Sequence, residues 1–376
     1  MAYNGHLNAN EIFGSLFNMI IAQQVFVDNF KHNYNLVDKA REEAGLYGDT
    51  KVFYSADILK SHVWGADSEA SNLLALARPS AVNSQAITIN QFRQVDLTID
   101  YYLSKRAWLG EGVFAQFNGL FLDMLSETKK VYENTYYNVY IGNLVATGAA
   151  QNITWSFTLP AGITEGTEEA NRLVAAFIAT SLADLIDNGL KDYSRSFNDN
   201  GYLRSYAEED LKFVWNASFV NAMLKRDLPT IFHNDILKTH LFEDKLPSRY
   251  FGTGVSTSTT ATLEGERAAN EYAITDGGGV TTDYFAGDVL PTGSFSGVSH
   301  DSYVNDATVL CKIFVKLPPF MSAFTTGTSF FNAKSLTENH YLTWGFNKPT
   351  ALTNYPLITI KLSVSEAAVD DGGGIE

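Results

Sequence analysis

The chain has 376 residues, with 27 Lys and Arg against 42 Asp and Glu, so its formal net charge is −15. Binding of nucleic acid through released counterions needs clustered Lys and Arg, and this charge balance argues against such a surface. Aromatic residues reach 13% and charged residues only 18%, which excludes an acidic disordered chain because such chains are poor in aromatics. We therefore expect an ordered protein that buries much apolar area, either in cores or between subunits.

The single cysteine, Cys311, excludes an internal disulfide and any multi-thiolate metal site. Residues 1–6 show no basic segment followed by an apolar one, so no signal peptide is predicted. No apolar run reaches the ~18 residues that a membrane-spanning helix needs. We expect synthesis in a cytoplasm and no membrane partner.

The first hundred residues contain two different hydrophobic patterns. Residues 10–47 carry apolar side chains at helical spacing and predict helical pieces. From residue 87 the pattern changes to strict alternation, as in Val95, Leu97 and Ile99, which predicts strands with one buried face. If residues 85–104 were one extended arm it would reach ~65 Å, well beyond the ~21 Å radius of gyration of a compact chain of this length. The pattern is therefore compatible with a hairpin that projects from the body.

The strongest pattern is a repeat of apolar residues at steps of three and four from Val113 to Tyr140. It predicts a single helix of roughly 30 residues, about 45 Å long. Gly142 and Asn143 are expected to end this helix. Gly119 lies inside it at a cost of about 1 kcal/mol relative to alanine, and the sequence gives no reason for it.

Two further helices are predicted, over residues 167–191 and 206–226. The second has acidic residues in its first turn and basic residues in its last, as the helix dipole favours. Residues 252–300, rich in Gly, Ser and Thr, predict a long surface loop or an insertion. Core strands are predicted over 307–317 and 356–364, with Cys311 as a small core residue.

No segment combines chemistry-bearing residues with the context that their chemistry needs. Residues 110–115 match a dinucleotide-binding pattern, but the long helix that follows favours a plain helix-start turn. Ser299, His300 and Asp301 are the residue types of a catalytic triad, yet adjacency in sequence is not triad geometry. The histidines lack the paired spacing of a zinc helix. We predict no catalytic, cofactor-binding or metal-binding residues and no cofactor.

The order of the elements resembles that of tailed-bacteriophage major capsid proteins with the Hong Kong 97-like fold, nearest in pattern to those of small short-tailed phages. The residues that carry the resemblance are the strand-like segment 87–98, the helix 112–143 and the segment 202–211. The resemblance implies an α+β fold whose parts, in chain order, are an N-terminal arm (1–49), an E-loop hairpin (50–106), the spine helix of a P domain (107–145), an A domain (146–305) that contains the loop 252–300, and late A-domain and P-domain strands with a frayed C-terminus (306–376).

The resemblance also implies a non-enzymatic virion protein that is synthesised in a host cytoplasm and assembles with itself. Hexamers and pentamers would form an icosahedral or prolate shell around double-stranded DNA, which an acidic wall would enclose without binding tightly. Portal and scaffolding or decoration proteins are the other expected partners. The side chains predicted to contact neighbouring subunits are Trp64, Ile87, Ile89, Phe92, Tyr101, Tyr102 and Trp108.

Two other functions stay open at this point. A tail or decoration protein of the virion would be mostly β and would lack the long central helix. A carbohydrate-active enzyme would use the aromatic surplus to stack sugars, but the chain shows neither a signal peptide nor a paired-carboxylate motif.

Overall fold

The computed structural model describes residues 36–44, 48–59, 61, 82–100, 111–193, 197–221, 244–269 and 271–367. Its helices are α1 (Leu36–Lys39), α2 (Glu111–Asn143), α3 (Glu168–Asp184) and α4 (Ala217–Phe219). Its strands are β1 (Arg41–Glu42), β2 (Thr50–Ser55), β3 (Asn83–Thr88), β4 (Gln91–Asp100), β5 (Asn152–Leu159), β6 (Lys212–Asn216), β7 (Asp244–Leu246), β8 (Gly252–Glu264), β9 (Tyr272–Thr275), β10 (Thr281–Tyr284), β11 (Thr292–Asn305), β12 (Val309–Phe314), β13 (Phe320–Asn332), β14 (Thr337–Phe346) and β15 (Leu357–Glu366).

The chain divides into two compact units. The first unit takes residues 1–50, 88–136 and 320–348, and the second takes the remainder. The predicted long helix is confirmed as α2, which is 33 residues long. Of the residues 10–47 expected to form helices, 10–35 and 45–47 lie outside the described residues; within 36–44 the structure has the one helix α1.

The first unit contains a four-stranded sheet in the order β1-β13-β14-β4. β14 pairs antiparallel with β13 on one side and with β4, along its whole length, on the other. The predicted alternation of β4 is confirmed, and this half of the expected E-loop is part of the sheet. Aromatic rings of α2 pack edge-to-face on the sheet, with Tyr132 5.7 Å from Trp344 and Tyr136 5.5 Å from Phe346 between ring centroids.

The second unit is built on a five-stranded sheet in the order β5-β15-β12-β6-β7. The predicted core strands are confirmed as β12 and β15, and Cys311 in β12 is fully buried. The predicted helix over 167–191 is confirmed as α3, which continues to Leu190 as a π-helix. By length and composition this helix, Glu168–Leu190, could span a membrane. Its apolar side, which includes Val174, Ile178 and Leu182, instead belongs to the core cluster of this unit.

The helix predicted over residues 206–226 is wrong up to residue 216; Ala217–Phe219 is helical (α4), and residues 222–226 lie outside the described residues. Residues 208–210 form a single 3-10 turn, and the chain then enters β6, which pairs with β12 and β7. Phe213, Val214 and Trp215 are each almost completely buried. Branched and aromatic side chains that are buried on both faces of a strand favour β-structure over the helix that the charge order suggested.

Of the two interpretations of residues 252–300, the long surface loop is wrong, because the region forms regular strands. This region forms a four-stranded antiparallel sheet in the order β10-β9-β11-β8, which we call the insertion sheet. It has an apolar cluster of its own, formed by Leu263, Ala268, Ile274, Leu290 and Val298. The Ser and Thr content that favoured a loop therefore belongs to long strands, in which threonine is a common residue.

Candidate functional site

The strand β2 has a different environment on each of its faces. On one face, the ammonium of Lys316 lies over the ring of Phe53, 5.0 Å from the ring centroid, in a cation–π contact. On the other face Val52 is 42% exposed and Tyr54 73% exposed. Each face of β2 thus carries an apolar side chain, and among the described residues Phe53 is partly covered whereas Val52 and Tyr54 are exposed.

The chain on either side of the paired strands β2 and β3 adds three exposed apolar side chains. Ile58 and Leu59 follow β2 and are 49% and 74% exposed, and Val82 precedes β3 and is 57% exposed. We call Val52, Tyr54, Ile58, Leu59 and Val82 together the β2–β3 surface. Single exposed apolar residues are ordinary, but several in neighbouring segments are typical of an interaction site.

Polar contacts within the second unit hold the segments that carry this surface. Asp57 accepts a 3.0 Å hydrogen bond from the backbone N–H of Leu203, and Arg204 donates to the carbonyl of Ala56. The side chain of Gln85 in β3 donates to the carbonyl of Ala351 at 2.8 Å. These bonds fix the backbone beneath the β2–β3 surface, so its side chains are presented in a defined arrangement.

The C-terminal end of α2 is held by a buried lysine. The ammonium of Lys312 in β12 donates to the carbonyls of Ile141, Gly142 and Leu144 at 3.0, 2.6 and 2.5 Å. Burial lowers the pKa of Lys312 to about 7, and Lys361 adds to this effect while Asp306 opposes it. A cation at the negative end of a helix satisfies carbonyls that have no partner inside the helix.

Gly142 makes a second close contact at the same helix end. A Cβ atom built on it would lie 1.8 Å from the carbonyl oxygen of Tyr250. The predicted end of the helix at Gly142 and Asn143 is confirmed, since α2 runs to Asn143 and Gly142 is its last residue but one. The role of Gly142 is to let the backbone of Tyr250 approach the helix.

A buried carboxylate holds the middle of α2 within the first unit. Glu133 is 2% exposed and accepts hydrogen bonds from Arg41 at 3.0 Å and from Ser322 at 2.6 Å. Arg41 also donates to Asp38 at 3.2 Å. Glu133 thereby connects α2 to β1 through Arg41 and to β13 through Ser322. The buried charge of Glu133 is paired with that of Arg41, as burial requires.

The residues predicted to contact neighbouring subunits fall into three groups. Ile87 and Ile89 are 4% and 0% exposed, so burial within the chain leaves these two side chains little area to offer a neighbour. Phe92 is 42% exposed on β4. Trp64, Tyr101, Tyr102 and Trp108 lie outside the described residues.

Sequence reasoning missed both the β2–β3 surface and the Lys312 anchor. The signal for the first was the order Val52-Phe53-Tyr54, which places apolar side chains on both faces of one short strand. The signal for the second was a lysine in the middle of an apolar strand, Val309–Phe314. Within the described ranges no group of three or more His, Cys, Asp or Glu could hold a metal ion.

Comparison with known proteins identifies the family. A family model described as Phi29-like phage major capsid protein matches residues 4–345. The chain belongs to this family of phage major capsid proteins. No curated protein sequence matches this capsid protein.

Two solved structures share the fold of this capsid protein. The capsid structure of Staphylococcus phage Andhra has a TM-score of 0.58 at 10% identity, over 91% of this chain and 88% of that one. A chain in the structure of the head fiber and inner core protein gp22 of native bacteriophage P68 has a TM-score of 0.56 at 12% identity, over 90% of each chain. The predicted α+β, Hong Kong 97-like fold is confirmed.

The family fixes the general role of the chain. It is a structural protein of a bacteriophage capsid and is located in the virion. The family assignment favours the capsid interpretation over a tail or decoration protein and over a carbohydrate-active enzyme.

Proposed function

We propose that this capsid protein assembles with itself into hexamers and pentamers that close an icosahedral or prolate shell around double-stranded DNA. The observation that carries the proposal is the β2–β3 surface, whose five apolar side chains are 42% to 74% exposed on a segment that hydrogen bonds hold in place. Interfaces gain stability by removing such area from water, at roughly 25 cal/mol per Å². A neighbouring subunit is the partner that a shell supplies to every copy.

The other contacts expected within residues 64–108 belong to the same proposal. Phe92 is exposed and offers apolar area from β4. We assign Trp64, Tyr101, Tyr102 and Trp108 to contacts between subunits, since large aromatic side chains are enriched in interface cores. Ile87 and Ile89 support the E-loop from within its own subunit.

The shell wall is proposed to enclose DNA without binding it sequence-specifically. A formal charge of −15 for each subunit, repeated over many copies, opposes tight binding of phosphates. We infer a purely structural protein without enzymatic activity, synthesised in the host cytoplasm. Portal and scaffolding or decoration proteins are its proposed partners.

The test compares three forms of the full chain, each expressed in bacteria with the other structural genes of its phage. Replacing Tyr54 and Leu59 together by serine removes the two most exposed side chains of the β2–β3 surface. Replacing Tyr193, which is 63% exposed elsewhere in the second unit, by serine is the matched control. Sedimentation and negative-stain microscopy then score rings and shells.

The wild type and the Tyr193→Ser control are expected to form shells, and the double variant is expected to remain as soluble, folded subunits. Shells formed by the double variant at the wild-type yield would show that this surface is not an assembly contact. A wild type that stays an inert monomer under these conditions would overturn the proposed function itself.

A further inference from the structure

The hairpin of β13 and β14 has an open outer edge. From Thr326 to Asn332, β13 pairs with β14 on one side. On its other side, β1 pairs only with Phe320 and Met321. A register shift between Ala323 and Thr326 separates the two regions. In the part of the chain that the structure describes, no strand pairs with the outer side of Thr326–Asn332, which we call the β13 edge.

The β13 edge is exposed on both faces of the sheet as well as along its side. Every residue from Thr325 to Phe331 is exposed, and Phe330 and Phe331 are 62% and 53% exposed. Successive residues of a strand point to opposite faces. One large aromatic side chain is therefore left in solvent on each face of the same strand.

The composition of this edge lacks two of the protections that soluble proteins use. Exposed edge strands are usually blunted by charged residues, by proline or by very short length, because their free N–H and C=O groups template another strand. Residues 325–333 read Thr-Thr-Gly-Thr-Ser-Phe-Phe-Asn-Ala and contain neither a charge nor a proline. Strand-favouring, uncharged segments of this length pair readily with further strands.

We propose that the β13 edge receives an extended strand from a second copy of this chain, which continues the sheet across the boundary between two subunits. This inference rests on the proposed self-assembly. Every subunit presents one such edge, so covering all of them requires a strand present in equal number. A second copy of the same chain meets that requirement, whereas a partner present in a few copies does not.

The side chains along the edge suit an added strand. The backbone hydrogen bonds would supply affinity, and an incoming strand would lie beside Phe330 on one face and Phe331 on the other. Aromatic residues paired across strands with aromatic or β-branched residues stabilise a sheet by roughly 0.2–1 kcal/mol each. Gly327 has no atom within 4 Å of the position of a Cβ, which leaves room for a large side chain of the incoming strand.

The experiment uses proline to remove single backbone N–H groups from the edge. In an antiparallel pair, adjacent residues alternate between directing their N–H toward the partner strand and away from it. Of Thr328→Pro and Ser329→Pro, one therefore removes an N–H that bonds β14 and the other an N–H that faces outward. Hydrogen exchange of residues 337–346 shows which variant keeps the hairpin. Thr328→Ala and Ser329→Ala are the matched controls, because they shorten the side chains and keep both N–H groups.

The variant that keeps the hairpin is expected to lose at least tenfold in shell yield, while both alanine controls assemble like the wild type. Wild-type yield from the hairpin-keeping variant would overturn strand addition and leave the proposed self-assembly intact. Failure of the wild type to assemble would instead overturn the proposed function, and strand addition with it.

A photo-reactive phenylalanine analogue at Phe331 identifies the occupant. In assembled shells it is expected to give a covalent product of twice the 41.5 kDa subunit mass. A crosslinked product of a different mass, or no product in shells, would refute a second copy as the occupant.

Discussion

Replacing Gly142 by alanine is expected to destabilise the subunit strongly, although the same change in the same helix at Gly119 is expected to stabilise it. At Gly142 the new methyl group would lie 1.8 Å from the Tyr250 carbonyl oxygen and 2.5 Å from its carbonyl carbon. Real Cβ atoms essentially never come closer than 3.0 Å to another atom, so helix and backbone must separate by about 1.2 Å. Both partners are backbone, and no side chain can rotate to relieve the contact.

The magnitude follows from that displacement. Forcing extra methyl groups into a packed site typically costs 1–3 kcal/mol, and a shift of backbone against backbone lies at or above the upper end, so we expect about 3 kcal/mol or more. At Gly119 no atom other than those of the adjoining residues and the helix's own backbone lies within 4 Å of the new methyl group. There alanine gains about 1 kcal/mol from its helix propensity. The two variants should therefore differ by roughly 4 kcal/mol, about a thousandfold in the folding equilibrium constant.

The measurement is chemical denaturation of unassembled subunits at fixed pH and concentration. The Tyr54→Ser, Leu59→Ser background, which is expected to keep the subunits apart, is common to all three proteins compared. A Gly142→Ala subunit within 0.5 kcal/mol of its parent would refute the close approach of Tyr250 to α2. A Gly119→Ala subunit that loses stability would show that the middle of the helix has a neighbour that the structure does not place there.

The remaining predictions use the same background. Because burial lowers the pKa of Lys312 to about 7, below the ~10.4 of an unfolded lysine, the unfolded state binds more protons between these values. The free energy of unfolding should then rise with pH from 7 to 10, and Lys312→Met should remove that rise; an unchanged slope in a pH series of denaturation curves would contradict it. Glu133→Ala should cost about 2 kcal/mol because it removes the buried acceptor of Arg41 and Ser322 while Arg41 keeps Asp38, whereas Glu168→Ala, at an exposed ion pair, should change stability by less than 1 kcal/mol. Replacing residues 253–304 by Asn-Gly should leave the rest of the chain folded, since Gly252 and Asn305 are paired strand neighbours; loss of cooperative unfolding would count against it.

The sequence predicted the framework elements because their patterns had no competing interpretation. A repeat at steps of three and four over some thirty residues fits a helix and no strand, and α2 follows it from Glu111 to Asn143. The alternation from Val95 to Ile99 likewise fits only a strand, and β4 has that structure. In both cases local spacing alone determines which side is buried.

The failures occurred where tertiary contacts decide the structure. Residues 206–226 follow the charge order of a helix, but β12 and β7 pair with Phe213–Trp215 from both sides, and both partners are distant in sequence. The Ser- and Thr-rich insertion sheet shows no strong hydrophobic period, because its strands bury only a small cluster. The role of Lys312 could not be predicted from the sequence, because its hydrogen-bond acceptors are the backbone carbonyls at the end of α2. Those carbonyls come next to Lys312 only in the folded chain.

The paired ends of the insertion sheet have a consequence for how this capsid protein can change over time. The chain leaves the core at Gly252 and returns at Asn305, and these two residues are strand partners. Any segment between these two residues begins and ends at neighbouring positions. Insertions and deletions of residues there therefore do not alter the register of β12 or of its neighbours. This site is therefore a point at which a whole module can be exchanged, or a foreign peptide inserted, without a change in the strand pairing of the sheet that contains β12.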